Sequence, residues 1–439
     1  MDEKGRVIDI YNAAIAAVDP YRAVMGQREV ILDAHREGPS TTLCVIGFGK
    51  AAQGMVRAVL DIVGDKASRG VAITKYGHWA DRGEDRGEDR IRVYEAGHPI
   101  PDENGVKATR QAIALARSLD EKSLLVCLIS GGGSALLVAP APGILLAEKQ
   151  RTIDLLLRAG ADIHELNAVR KHISAVKGGR LAQIAYPARV VSLILSDVID
   201  DRLDIIASGP TVPDETTYAD ALGVIEKHRL RDEAPRKVYD HLVEGRQGRI
   251  PEAPGKDDPL FDRVTNTIVG SNRQALEAAA TRCGHLGIDA VKIDRPIRGE
   301  ARDAGRWLVS EARKMLKDRK GTGKGLCLIS GGETTVTVRG RGRGGRNMEL
   351  ALAAAIEMEG TEGMTLLSAG TDGTDGPTDA AGAIVDGRSV GRGREAGLDP
   401  GTCLSNNDSY SFLRAGGDLF KTGPTGTNVM DIQVMLLSA

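Results

Sequence analysis

Several short segments carry the residue types that handle anions and protons. Gly47-Phe-Gly-Lys-Ala-Ala52 follows an apolar run and opens a helical pattern. Gly47 and Gly49 permit a tight turn, and Lys50 beside the first amides of a helix suits a phosphate or a carboxylate. The plain alternative is a surface lysine next to a turn. The spacing also matches the dinucleotide fingerprint G-x-G-x-x-A, a chemistry that wants an acid at the end of the following strand to hold the ribose. That run ends Thr74-Lys75-Tyr76, with no acid, which disfavours NAD(H). Ser130-Gly131-Gly132-Gly133-Ser134 sets glycines between two hydroxyls. Such a loop can aim successive amides at an anion, or serve only as a strand-to-helix turn. No P-loop and no protein-kinase motif occurs, and Gly321-Thr-Gly-Lys-Gly325 has the wrong spacing.

Carboxylates and a guanidinium complete the chemical inventory. Ser192-Leu-Ile-Leu-Ser-Asp197 puts Asp197 where an apolar strand ends, so it can act as a general base, as a magnesium ligand, or as a turn aspartate. Gly331-Gly332-Glu333 follows a second apolar run. In Arg339-Gly-Arg-Gly-Arg-Gly-Gly-Arg346, Arg346 opens a helical pattern at Asn347, and its planar fork suits phosphoryl oxygens. The same arginine–glycine stretch can be read as an RNA-binding segment, against its shortness and its place between a strand over 335–338 and a helix over 347–356. Ser368 to Asp379 carries Asp372, Asp375 and Asp379, which suit magnesium or a polyol and equally suit aspartate–glycine turns. The eight histidines form no metal-like spacing.

The elements around these segments alternate. Runs at 42–46, 70–74, 91–94, 124–129 and 189–195 read as strands, with helical patterns such as 51–63 and 106–119 between them. Continuous apolar strands separated by helices imply parallel sheets covered on both faces. The stretch 245–262, rich in Gly, Pro and charge, reads as a linker. It separates an N-terminal Rossmann-like α/β domain (1–250) from a C-terminal α/β domain (262–439). Cys127-Leu-Ile-Ser-Gly-Gly132 recurs as Cys327-Leu-Ile-Ser-Gly-Gly332, which suggests two strand mouths facing an interdomain cleft. The repeat Asp81–Arg90 reads as a solvated loop.

Composition narrows the function classes. Lys+Arg is 58 against Asp+Glu 60, a net charge of −2 that supplies no field for nucleic acid or an acidic membrane. Aromatics at 3% leave few rings for stacking bases. Glycine is the outlier, 54 of 439 residues against an ordinary share of ~7%. The five cysteines form no C-x-x-C pair and read as small buried hydrophobes. No apolar run spans a membrane, and the start of the chain reads as an amphipathic helix, so a cytoplasmic location is expected.

Taken together, the motifs resemble the class II glycerate kinases, the glycerate 2-kinase family with a C-terminal MOFRL domain. The resemblance rests on Val45–Ala52, Glu95-Ala-Gly-His-Pro-Ile-Pro-Asp102, Ile129–Leu136 and Asn167–Leu181. It continues through Ser196-Asp197, Ala207-Ser-Gly-Pro-Thr211, Gly331–Thr335, Gly344-Gly-Arg-Asn347, the aspartate loop and Thr422–Asn428. One departure is Ile199-Asp200, where many relatives have glycine at the second position, and it bears on local loop shape. The resemblance implies ATP-dependent phosphorylation of D-glycerate to 2-phosphoglycerate, with Mg²⁺, in a cleft between two α/β domains. It carries Lys50, Asp197 and Arg346 over as catalytic residues. Gly47, Gly49, Ser130, Gly131, Gly132, Gly133, Ser134, Gly331, Gly332, Glu333, Asn347, Asp372 and Asp375 are then the candidates for holding nucleotide and substrate, and Asp197 and Glu333 for holding the metal. The rival readings are an NAD(P)H-dependent hydroxypyruvate reductase and a non-catalytic nucleotide- or RNA-binding protein. Neither nucleic acid nor membrane is expected as a partner, and the oligomeric state is open.

Overall fold

The computed structural model describes residues 2–36, 42–79, 90–318 and 325–438. Residues 81–89 of the charged repeat and 321–324 of the glycine–lysine stretch lie outside them. The chain divides into two compact units. The first is Pro20–Val269; the second combines Met1–Asp19 with Gly270–Ala439.

In the first unit the apolar runs become one sheet of β1 (Thr42–Phe48), β2 (Ala67–Lys75), β3 (Ile91–Ala96), β4 (Ser123–Ile129), β5 (Arg189–Leu195) and β6 (Val264–Gly270). Their order is β3-β2-β1-β4-β5-β6. The β1–β2, β1–β4, β2–β3 and β4–β5 pairs are all parallel. Every residue of β4 is buried. Leu125, Cys127 and Ile129 share one core with Ala108 and Ala112 of the helix Glu103–Arg117. On the other face Leu128 lies against Gly47, where an added Cβ would come within 2.9 Å of Val56. This is the doubly wound order, and it puts the carboxyl ends of β1 and β4 side by side at the switch point, where such sheets bind ligands.

The second sheet departs from expectation. It comprises β7 (Asp289–Lys292), β8 (Leu326–Gly332), β9 (Met364–Gly370), β10 (Gly382–Asp386), β11 (Leu419–Phe420) and β12 (Asp431–Leu437), ordered β11-β10-β9-β12-β8-β7. Only β7–β8 pairs in parallel; the other pairs are antiparallel. The α/β class holds, but mainly parallel pairing is a property of the first sheet alone. The cause is connectivity: β9 reaches β10 through the loop 371–381 without a crossover helix, and the last strand inserts between β8 and β9. Thr335–Val338 is no strand. Thr335 makes one isolated bridge to Glu300, and Val338 is exposed.

The domain limits also differ. The first helix, Glu3–Ala17, packs into the second unit. Its Tyr11 ring meets Phe420 edge-on at 5.3 Å, its Tyr11 hydroxyl donates to the Gly370 carbonyl, and Asp9 pairs with Arg282. Nor is 245–262 a linker. An added Cβ at Gly245 would lie 2.1 Å from the Tyr218 ring, the Glu252 carboxylate accepts from the Tyr218 amide, and the Pro254 carbonyl accepts from the Asp214 amide. Proline and glycine make this backbone irregular, while those bonds fix it to the first unit. The five cysteines are free and buried, as expected. No described helix is long and apolar enough to cross a membrane.

Candidate active site

At the switch point of the first sheet, two loops are knitted together. Gly49 has φ 121, and an added Cβ there would sit 2.1 Å from Ser130 Oγ, so only glycine fits. The Gly49 amide donates to Ile73 O (3.1 Å), that of Lys50 to Gly131 O (2.9 Å), and that of Ala51 to Ser130 Oγ (3.1 Å). The Ala52 amide turns back to Gly49 O (3.3 Å). These are the amides the sequence offers to a phosphate, and each is already engaged. What the turn presents is the Lys50 side chain. Gly132, at φ 84, makes room for it: an added Cβ would stand 3.5 Å from Lys50 Cγ and 2.9 Å from the His98 ring.

The next layer is strained. Ala207 and Ser208 have φ 51 and 62 and lead into Gly209 at φ 60. Left-handed backbone costs a non-glycine residue roughly 1–2 kcal/mol, and such costs concentrate at functional sites. Here the surroundings fix the strained turn. Ser208 Oγ donates to Asn167 Oδ1 (2.8 Å) and meets Ser134 Oγ (3.1 Å), while Lys177 Nζ donates to Ala207 O (3.1 Å). Gly133 lies so close that an added Cβ would touch the Ala207 methyl at 2.9 Å. The expected site residue Asp197 follows β5, just past the buried Ser196. Beyond it Asp200 and Asp201 have φ 65 and 52. The departure from glycine at 200 therefore keeps the left-handed backbone, which aspartate tolerates better than most residues.

In the second unit Arg346 opens the helix Arg346–Met358 and is held from two sides. Its Nε and Nη2 donate to the two oxygens of Asp431 (2.6 and 2.9 Å), and its Nη1 pairs with Glu333 at 2.8 Å. Asp431 has a 1% exposed side chain, whereas that of Glu333 is 46% exposed. The inner contact therefore fixes the guanidinium and the outer one is displaceable. Despite its burial, the nearby carboxylates hold the Arg346 guanidinium more firmly protonated than usual.

The second Ser-Gly-Gly ends its strand, as the sequence suggests, but is paired there along its length. Ser330, Gly331 and Gly332 lie inside β8, opposite Gln433, Ile432 and Asp431 of β12. Gly331 admits Asn272, whose Nδ2 donates to the carbonyls of Val429 and Asp431.

The aspartate loop splits into separate tasks. Asp372 accepts from the Thr374 amide and hydroxyl, and Asp379 takes bonds from Tyr410 and Lys421. Asp375 accepts from the amides of Asn347 and Met348 (3.1 and 2.8 Å), so it caps the helix that Arg346 opens. Burial, aided by the charge of Asp431 and opposed by those amides and by Arg346, pushes the Asp375 carboxyl up to about 7. Between an unfolded value of about 4 and about 7 the native state binds this proton more tightly than the unfolded chain, so stability falls as pH rises through that window. The melting temperature of wild type, measured against that of Asp375→Asn, should drop from pH 5 to pH 8; a constant difference would remove the assignment.

Two family models match: one described as a domain of unknown function (DUF4147) over residues 6–243, and the MOFRL family over 326–431. The chain is 42% identical to a D-glycerate 2-kinase of Thermotoga maritima over 99% of its own length and 98% of the relative's. It is 40% identical to a glycerate 2-kinase of Pyrococcus horikoshii, covering 100% and 98%. The crystal structure of a Thermotoga maritima glycerate kinase superposes with a TM-score of 0.85, at 42% identity and 99% coverage of both chains. The chain belongs to the class II glycerate kinase family.

For this glycerate kinase family member, the structure brings Lys50, Gly49 and Ser130–Gly132 together in one unit, and Arg346, Glu333, Asn347 and Asp375 in the other. Ser134 joins the first group through Ser208. Sequence reasoning missed Asp431, although an acid heading the apolar run 432–437 marks the start of a strand. It also passed over Arg170 and Lys177 inside the quoted stretch 167–181, because basic residues there carry no sign of burial.

Proposed function

We propose that this chain is a glycerate 2-kinase, transferring the γ-phosphoryl group of ATP to the 2-hydroxyl of D-glycerate. The observation that carries the reading is full-length similarity, at 42% and 40% identity, to proteins named for that activity. In the reaction the hydroxyl oxygen forms the new O–P bond, the bond to the β-phosphate breaks, and the hydroxyl proton leaves to a base. Asp197, at the end of β5, orients that hydroxyl and takes the proton. Lys50 of the first unit and Arg346 of the second are the cations we assign to neutralise charge on the phosphoryl oxygens. The paired hydrogen bonds to Asp431 support this role for Arg346, since a pre-set fork loses little freedom when it meets an oxyanion.

Among the described residues no group of three His, Cys, Asp or Glu side chains could cage a metal. Mg²⁺ bound together with a nucleotide needs only one or two carboxylates beside the phosphates. Asp197 in the first unit and the exposed Glu333 in the second are the candidate carboxylates for it, and when bound it would neutralise phosphate charge. A reductase is disfavoured by β2, whose last residue is Lys75 where a ribose-binding acid would stand. The decisive assay couples ADP release with D-glycerate to enolase, which accepts the 2-phosphate. Enolase turnover should track ADP release; ADP without it would move the phosphate to the 3-position, and no ADP at all would end the reading.

A further inference from the structure

The first unit buries more positive charge than it answers. Lys149 and Lys177 are 4% and 1% exposed. Lys149 Nζ donates to the carbonyls of Arg170 (3.2 Å) and Ile173 (3.0 Å), and Lys177 Nζ to that of Ala207. Among the described residues neither ammonium pairs with a carboxylate, in contrast to Lys171 nearby, which meets Asp214 at 3.0 Å. Burial, then the charge of Arg170, holds the Lys177 ammonium down to about 7; burial, Lys177 and Arg170 together hold Lys149 well below its ordinary value.

Arg170 is the opening of this cluster. It is partly buried, and among the described residues its guanidinium has neither hydrogen bond nor ion pair. Three residues earlier on the same helix, Ile163–His172, stands Asn167, hence on the same face. Asn167 is 3% exposed; its Oδ1 is taken by Ser208, and its buried Nδ2 has no partner. A buried amide donor without an acceptor is destabilising, and a buried ammonium without a counter-charge is pushed toward its neutral form. One oxyanion relieves both.

We infer that Arg170 and Asn167 Nδ2, with Lys149 and Lys177 behind them, form an oxyanion subsite beside the strained Ala207–Gly209 turn, taking the carboxylate of the hydroxy-acid substrate. The inference rests on the kinase reading for its ligand, because a nucleotide phosphate offers the same chemistry. A guanidinium fork binds either through paired, charge-assisted bonds. The Ser134–Ser208–Asn167 chain ties the subsite to the glycine turn that places Lys50.

Steady-state kinetics on wild type, Arg170→Gln and Arg170→Lys, varying each substrate in turn, separate the possibilities. Loss of a charge-assisted bond predicts a KM for D-glycerate raised about 10- to 100-fold in Arg170→Gln, with KM for ATP unchanged and Arg170→Lys in between. A rise confined to ATP keeps the subsite and assigns it to a nucleotide phosphate. Both KM values within about twofold of wild type would overturn the subsite, as would a fall in kcat alone, which marks a structural role. Calorimetric titration with inorganic phosphate tests the site without turnover: equal binding by wild type and Arg170→Gln would overturn it even if wild type released no ADP with glycerate.

Discussion

Arg346→Ala is expected to lower turnover by about 10³-fold or more, the scale on which a positioned arginine acts in phosphoryl transfer. The same change strands Asp431, whose carboxylate is 1% exposed and bound by the guanidinium through both oxygens. Breaking a fully buried pair costs about 3–5 kcal/mol. Arg346 has a 34% exposed side chain, so water reaches the vacated space and about 2–4 kcal/mol is expected. Lost activity in the single variant therefore mixes two effects. Arg346→Ala combined with Asp431→Asn separates them, because a neutral amide needs no counter-charge. The double variant should regain most of the denaturant stability and none of the turnover. Near-full turnover in the single variant, or its return in the double, would dismiss the role of Arg346.

Asp214→Ala should destabilise the first unit by about 3–5 kcal/mol, the cost of leaving the Lys171 ammonium buried and unanswered. The side chains of Lys171 and Asp214 are 3% and 0% exposed and lie 3.0 Å apart. Asp214 Oδ1 also accepts from the Thr216 amide and hydroxyl, and the Asp214 amide binds the 245–262 stretch through Pro254 O. Removing the carboxylate thus loosens a turn as well as a charge. Replacing both partners with apolar residues, Lys171→Met and Asp214→Leu, should recover much of the loss, since paired removal leaves no orphan charge. Urea unfolding monitored by far-UV circular dichroism supplies the values; a loss below about 1 kcal/mol in Asp214→Ala would show that water reaches the lysine.

What the sequence disclosed follows from which physical signals are local. The first sheet was legible because β1, β4 and β5 are continuous apolar runs, and only a strand covered on both faces needs that. The second sheet was not. Its direction depends on where β12 inserts, a pairing between residues such as Gly332 and Asp431 that are remote in sequence. Glycine spacing marked the Lys50 turn correctly, yet suggested that its amides were offered to a ligand, when Ile73 O, Gly131 O and Ser130 Oγ take them. Asp375 stands out in the sequence as one of three loop carboxylates, but its hold on a helix start is not legible there. Asp431, Arg170 and Lys177 escaped notice because each matters through burial, which no single residue type announces.

The placement of Glu3–Ala17 with residues 270–439 has a consequence for synthesis on the ribosome. Pro20–Val269 emerges as one uninterrupted stretch and can close its sheet while translation continues. The first helix has no partner in its own unit until the helix Asn272–His285 is made, and its packing is complete only when β9 and β12 follow. The nascent chain must therefore shield the apolar face of that helix while the whole of Pro20–Val269 is made.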